Sequence, residues 1–120
     1  GALFTGAIGY GPGAGGTVIQ ATNKATTVTL NKPCGLIITA DDALAHNAVA
    51  IFTINCSLIS PYDGVIITPV GPNLGVAYNY QYGVVTGNMG LFRISIRNVS
   101  GVTLTESINI VFSIIKGAIN

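Results

Sequence analysis

No stretch of this chain runs far enough without a turn residue to make a helix of ordinary length. From Thr17 onward, clusters of Gly, Pro, Asn and Asp separate short runs rich in Val, Ile, Thr and Tyr. Examples are Asn31-Lys32-Pro33, Ser60-Pro61-Tyr62-Asp63-Gly64, Gly71-Pro72-Asn73 and Gly87-Asn88-Met89-Gly90. Each residue type suits a turn for its own backbone reason: glycine reaches positive φ, proline presets φ, and Asn or Asp bonds back to the main chain. Punctuation of this kind predicts an all-β domain, with about eight strands near 17–20, 27–30, 35–39, 48–55, 64–69, 78–85, 91–98 and 108–116.

The alternation within two of these runs says which side chains point inward. In the run from Leu91 to Asn98, Phe92, Ile94 and Ile96 share one face, and Arg93, Ser95 and Arg97 the other. Successive side chains of a strand point to opposite faces, so this strand has one dry side and one polar side. In the last run, Ile108, Ile110, Phe112 and Ile114 face one way, while Val111 and Ile115 make the other face partly apolar. Burial on both faces fits a central strand or a subunit interface. The one helical candidate, Asp41-Asp42-Ala43-Leu44-Ala45-His46, spans a turn or two and reads as a connector between strands.

Only 8% of the residues are charged, against about 25% in an ordinary soluble domain. The surface must therefore be built from Thr, Ser, Asn and Gly, or be covered by other subunits. No apolar run approaches the ~20 residues of a membrane-spanning helix, so no membrane insertion is expected. The opening residues lack the basic and apolar regions of a signal peptide. A net charge of +1 with dispersed basic residues gives no electrostatic case for nucleic acid.

The residues 1–16 are too Gly-rich for a helix and too apolar for a solvated tail, with Leu3, Phe4, Ile8 and Tyr10 set among small residues. They are expected to form an extended arm that buries these four side chains on a neighbouring subunit. Tyr78, Tyr80 and Tyr82 are spaced by two, so a strand would set all three on one face, suited to contact with another subunit, protein or sugar.

Chemistry-bearing motifs are weak. Gly11, Gly13 and Gly16 fit G-x-G-x-x-G by letter, but β-forming residues follow where the phosphate fingerprint needs a helix. His46 is the single histidine, and no nucleophile signature accompanies it. Of the acidic residues, Asp41 and Asp42 are adjacent, so their side chains diverge; turn or capping roles are favoured for them over a divalent-ion site on Asp63 or on this pair. Cys34 and Cys56 read as free buried thiols, although pairing stays open, and with one histidine they are too few for a structural zinc site. No catalytic residue, cofactor or metal is expected. Two sequons, Asn55-Cys56-Ser57 and Asn98-Val99-Ser100, are treated as chance matches.

Two segments carry a resemblance. Gly9-Tyr10-Gly11, Gly15 to Lys24 and Val28 to Gly35 at one end, and Phe92 to Ser100, Leu104 to Ser107 and Ile115-Lys116-Gly117 at the other, are similar to a family of short tailed-phage virion proteins. The resemblance implies a structural role in the virion without enzymatic activity. The expected architecture is a jelly-roll-like antiparallel β-sandwich over residues 17–120, preceded by the arm. The expected function is a capsid decoration (cement) protein, a homotrimer seated on the major capsid protein at the head surface, since the chain shows no long triple-stranded shaft. The alternative is the receptor-binding tip of a tail fibre, contacting a host surface receptor. Contact residues are expected among Leu3, Phe4, Ile8, Tyr10, Tyr78, Tyr80, Tyr82, Arg93 and Arg97.

Overall fold

The structure is a computed structural model that describes residues 10–71 and 75–117. In chain order its elements are β1 (Gly15–Ile19), β2 (Val28–Thr29), β3 (Cys34–Ile38), β4 (Ala43–Leu44), β5 (Val49–Asn55), β6 (Gly64–Val70), α1 (Gly75–Tyr78), β7 (Tyr80–Asn88), β8 (Leu91–Asn98), β9 (Leu104–Thr105) and β10 (Asn109–Ile115). Every expected strand has a counterpart, and the run 91–98 keeps its bounds as β8. The short pair β4 and β9 is additional. The segment 41–46 is not helical, because Ala43 and Leu44 pair with Thr105 and Leu104 instead. The helical turn α1 lies where a strand was expected to begin.

Two four-stranded sheets form a sandwich. The first has the order β1-β3-β10-β6, the second β2-β5-β8-β7, and β4-β9 make a small third sheet. The expectation of a wholly antiparallel fold needs correction, because β1 runs parallel to β3 and β2 parallel to β5. Both parallel pairs lie at a sheet edge and join strands whose intervening chain crosses over rather than turning back as a hairpin.

The core lies between the sheets. From the second sheet come Ala50, Phe52 and Ile54 of β5, Phe92, Ile94 and Ile96 of β8, and Tyr80 of β7. From the first come Ile37, Val65, Ile110, Phe112 and Ile114. The rings of Phe92 and Phe112 meet across the gap at 5.3 Å between centroids, tilted by 56°, within the range of favourable aromatic contacts. The two central strands, β8 and β10, are the two whose alternation is clearest in the sequence. Each has a neighbour on both sides, so its inward residues are covered laterally as well as from the facing sheet.

Local chemistry closes the ends of the sandwich. The β7–β8 hairpin turns through Met89-Gly90, with Gly90 at φ 79°, a conformation glycine takes without side-chain strain. Its amide donates to Ile59 O and its carbonyl accepts from Cys56 N, tying the hairpin tip to the turn after β5. Gly35 is required for packing: a Cβ there would lie 2.6 Å from a Leu30 methyl and 2.7 Å from Gly16 O.

Asn98 ends β8 wholly buried. Its Nδ2 donates to Leu44 O and Val102 O at 2.7 Å each, and its Oδ1 accepts from Ser100 N (2.8 Å) and Ser100 Oγ (2.7 Å). One amide thereby fastens the second sheet to the β4–β9 pair. Both Nδ2 hydrogens are thus committed in the fold.

Candidate functional site

The strand registers turn each outer face into a grid. On the second sheet, Thr53, Arg93 and Val85 lie side by side; Ile51, Ser95 and Gly83 form the next row; Val49, Arg97 and Gln81 the third. Both arginines are exposed, as the alternation requires. Ile51 (55% exposed) and Val85 (60%) stand beside them. The middle is low: a Cβ on Gly83 would come within 2.7 Å of Ser95 Oγ, so glycine lets the two strands' outer surface stay flat.

The first sheet's outer face differs in kind. Its rows are Ile19, Ile38, Asn109 and Val70; then Thr17, Leu36, Val111 and Thr68; then Gly15, Cys34, Ser113 and Ile66. Ile115 opposite Gly64 extends it. The grid contains no charged residue, and Ile19 (65% exposed), Ile66 (55%) and Ile115 (52%) present bare branched side chains. The sequence pointed to this face through Val111 and Ile115. The parts contributed by Ile19 and Ile66 follow only from the register that joins their strands to it.

The tyrosines separate. Tyr80 and Tyr82 do share a face of β7, with ring centroids 6.3 Å apart, but that face is the inner one. Tyr80 is 3% exposed and donates its hydroxyl to Glu106 Oε2 at 2.8 Å, while Tyr82 donates to Val76 O at 2.7 Å. Burial first, and then the neighbouring Glu106 carboxylate, push both phenols above their ordinary range. Tyr80 therefore has no surface to offer a partner. Tyr78 ends α1, outside the strand, and is exposed. Of the expected arm residues, Leu3, Phe4 and Ile8 lie outside the described residues. Tyr10 is described, and its hydroxyl donates to Ile114 O of its own chain. The last two residues of the expected arm, Gly15 and Gly16, already pair with Cys34 and Gly35 in β1.

The acidic residues serve the fold. The Asp63 side chain is enclosed; its Oδ2 accepts from Lys116 Nζ at 2.5 Å and Ser60 N at 2.9 Å, and its Oδ1 from Gly117 N at 2.9 Å. The Lys116 contact, then these amides, hold its carboxyl well below the usual carboxylate range. Asp42 receives Lys24, which is the unexpected buried cation: 1% exposed, donating from Nζ to Asp42 O at 2.5 Å, with Asp42 Oδ1 at 3.4 Å. Lys24 N also donates to Asp42 Oδ1 at 3.0 Å. Nothing in the local sequence around Lys24 announces this. His46 is exposed beside Asn47, whose amide meets its Nε2 at 3.0 Å. Cys34 and Cys56 are free thiols, Cys56 donating weakly to Lys32 O. The segment after Gly11-Pro12-Gly13 continues as strand β1, not helix, so no helix terminus faces it. Among the described residues no group of three or more His, Cys, Asp or Glu gathers in a way that would hold a metal ion.

Comparison with protein families, with curated proteins and with solved structures finds no match.

Proposed function

We propose that this chain is a non-enzymatic structural protein of a bacteriophage particle, a jelly-roll-type sandwich that assembles as a homotrimer and decorates the head. The observation that carries the reading is the uncharged outer face of the first sheet. A four-stranded face with Ile19, Leu36, Ile38, Ile66, Val111 and Ile115 and no charge is what a subunit contact needs and what a solvated monomer avoids. A second copy is its natural cover, because the chain's scarcity of charge spreads the demand for burial over the whole molecule. Closed symmetry would also hide the exposed edges at β1 and β6. The jelly-roll reading draws support from the path of the chain, which passes repeatedly from sheet to sheet. It lays β1 in the first, β2 in the second, β3 in the first, β5 in the second and β6 in the first, then β7 and β8 in the second, and ends in the first at β10.

Sedimentation equilibrium tests the assembly. The native chain should sediment as a trimer, and Ile66→Lys should release folded monomers. A native monomer at micromolar concentration would overturn the reading. Electron microscopy of the particle tests the location, with density on the head lattice expected. The alternative, a receptor-binding fibre tip, is favoured by Tyr78, whose ring stands 77% exposed with a polar tip suited to sugar or protein; density at the tail would select it.

A further inference from the structure

So few acidic residues occur in this chain that every carboxylate side chain can be placed. Asp63 is enclosed with Lys116, Asp42 is bound to Lys24, and Glu106 accepts from Tyr80. Asp41 is exposed and makes no such contact among the described residues. Among the described residues, the side chains of Arg93 and Arg97 make neither an ion pair nor a hydrogen bond. They stand on the same strand face, four residues apart, which separates their Cα atoms by about 13 Å. Between and beside them lie Ile51, Val49 and Val85, all more than half exposed, and the flat Ser95–Gly83 centre.

We propose that this outer face of the second sheet docks onto an acidic protein surface, each arginine taking one carboxylate. The proposal rests on the assembly reading above and assigns to it the face turned toward the particle. Arginine presents a planar fork of donors that matches a carboxylate with two parallel hydrogen bonds, and it loses little hydration in doing so. The three aliphatic side chains supply the desolvated patch in which such pairs are strongest, and isolated arginines among apolar residues are the composition of an interface core. A second copy of the chain does not complement this face. Among the described residues its side-chain carboxylates other than Asp41 are already engaged, by Lys24, Lys116 and Tyr80, which leaves one for two arginines, and like faces would set arginine against arginine. A nucleic acid is disfavoured too, since the grid holds two cations among aliphatics, with no basic stripe to follow a phosphate backbone. The partner surface thus carries two carboxylates about 13 Å apart with aliphatic side chains between them, as on an extended strand with glutamates at i and i+4.

The probe is a synthetic extended peptide, Thr-Glu-Thr-Val-Thr-Glu-Thr-Val, which places its glutamates at i and i+4 with a valine between them on the same face. It is titrated into the full chain at low salt and followed by amide chemical shifts. Shifts should cluster at Arg93, Arg97, Val49, Ile51 and Val85. The double substitution Arg93→Ser/Arg97→Ser should weaken binding at least tenfold and flatten its salt dependence, with melting temperature and sedimentation unchanged. Equal binding of the peptide with glutamine in place of glutamate would overturn the proposal, as would tighter binding of heparin or of a DNA duplex than of the peptide. The two readings fail separately. A chain that sediments as a trimer but ignores the peptide refutes the docking face alone. A monomer that binds the peptide through these arginines refutes the assembly alone.

Discussion

Replacing Asn98 with Asp changes one NH2 for one oxygen at the point where three pieces of backbone meet. The Oδ1 side keeps its donors, Ser100 N and Ser100 Oγ. The other oxygen arrives where Nδ2 donated to Leu44 O and Val102 O at 2.7 Å, so two hydrogen bonds become two oxygen–oxygen repulsions. Each lost bond is worth about 1 kcal/mol, and a buried acceptor left facing acceptors adds roughly 1–3 kcal/mol more, giving about 4 kcal/mol at neutral pH. For a domain of this length that is a fall of roughly 15 °C in melting temperature. Burial and the two facing carbonyls disfavour the ionised form, so the folded pKa of the new carboxyl lies above its unfolded value of about 3.9; protonated at low pH, it keeps one donor and loses less. The folded state then binds more protons, and the deficit grows as pH rises from about 4 through the folded pKa. Asn98→Ala removes the same donors but adds no charge, and Val102 and Ser100 border solvent. It should cost about 2 kcal/mol, mostly for the Leu44 carbonyl, with no new pH dependence. Thermal melts of the native chain and the two variants from about pH 4 to about pH 8 check this. An Asn98→Asp variant melting within about 3 °C of the native chain at neutral pH, or a deficit that shrinks as pH rises, refutes the hydrogen-bond account.

Lys24→Met should change stability by no more than about 1 kcal/mol, because methionine fills the buried space and the Asp42 carboxylate left behind is 38% exposed to water, whereas Asp42→Ala strands a buried ammonium and should cost about 3 kcal/mol in urea titrations. Gly35→Ala should destabilise markedly, since its methyl meets the Gly16 carbonyl, a backbone atom with no freedom to move aside; a melting temperature equal to the native one refutes the close-packing argument. In alkaline titrations followed by circular dichroism, stability should decline above about pH 10, because the raised pKa values of Tyr80 and Tyr82 mean that the folded state retains protons the unfolded chain releases. Ile96→Asp should unfold the domain by burying a charge without a partner, while Arg97→Ser should shift stability by less than about 0.5 kcal/mol; equal melting losses would mean the faces of β8 are reversed.

Period-two alternation carried much of the fold in plain view. Phe92, Ile94 and Ile96 point inward and Arg93 and Arg97 outward because a strand has no other way to dispose them, and each run between turn residues is a strand because nothing in it is long enough to be a helix. Local pattern failed where a long-range partner prevailed over it. Ala43 and Leu44 look like part of a helical turn, yet Leu104 and Thr105 offer them backbone hydrogen bonds from a distant part of the chain. Tyr78 continues the spacing of Tyr80 and Tyr82 but belongs to a helical turn, because Asn79 N bonds back to Gly75 O.

The sequence by itself determined strand positions, the inward residues of β8 and β10, and the shortage of charge. Those follow from side-chain chemistry and a two-residue period, both local. Only the tertiary structure decided which strands are neighbours, that β1 and β2 run parallel to theirs, that Lys24 is buried and Asn98 holds three segments, and that Tyr80 faces the core. Above all it decided that Ile19, Leu36, Val111 and Ile66 join into one uncharged face while the arginines stand with Ile51 and Val85 on the opposite one. A strand's own alternation says that its residues divide between two faces; which other residues share each face depends on register, and register is set by hydrogen bonds between segments distant in sequence.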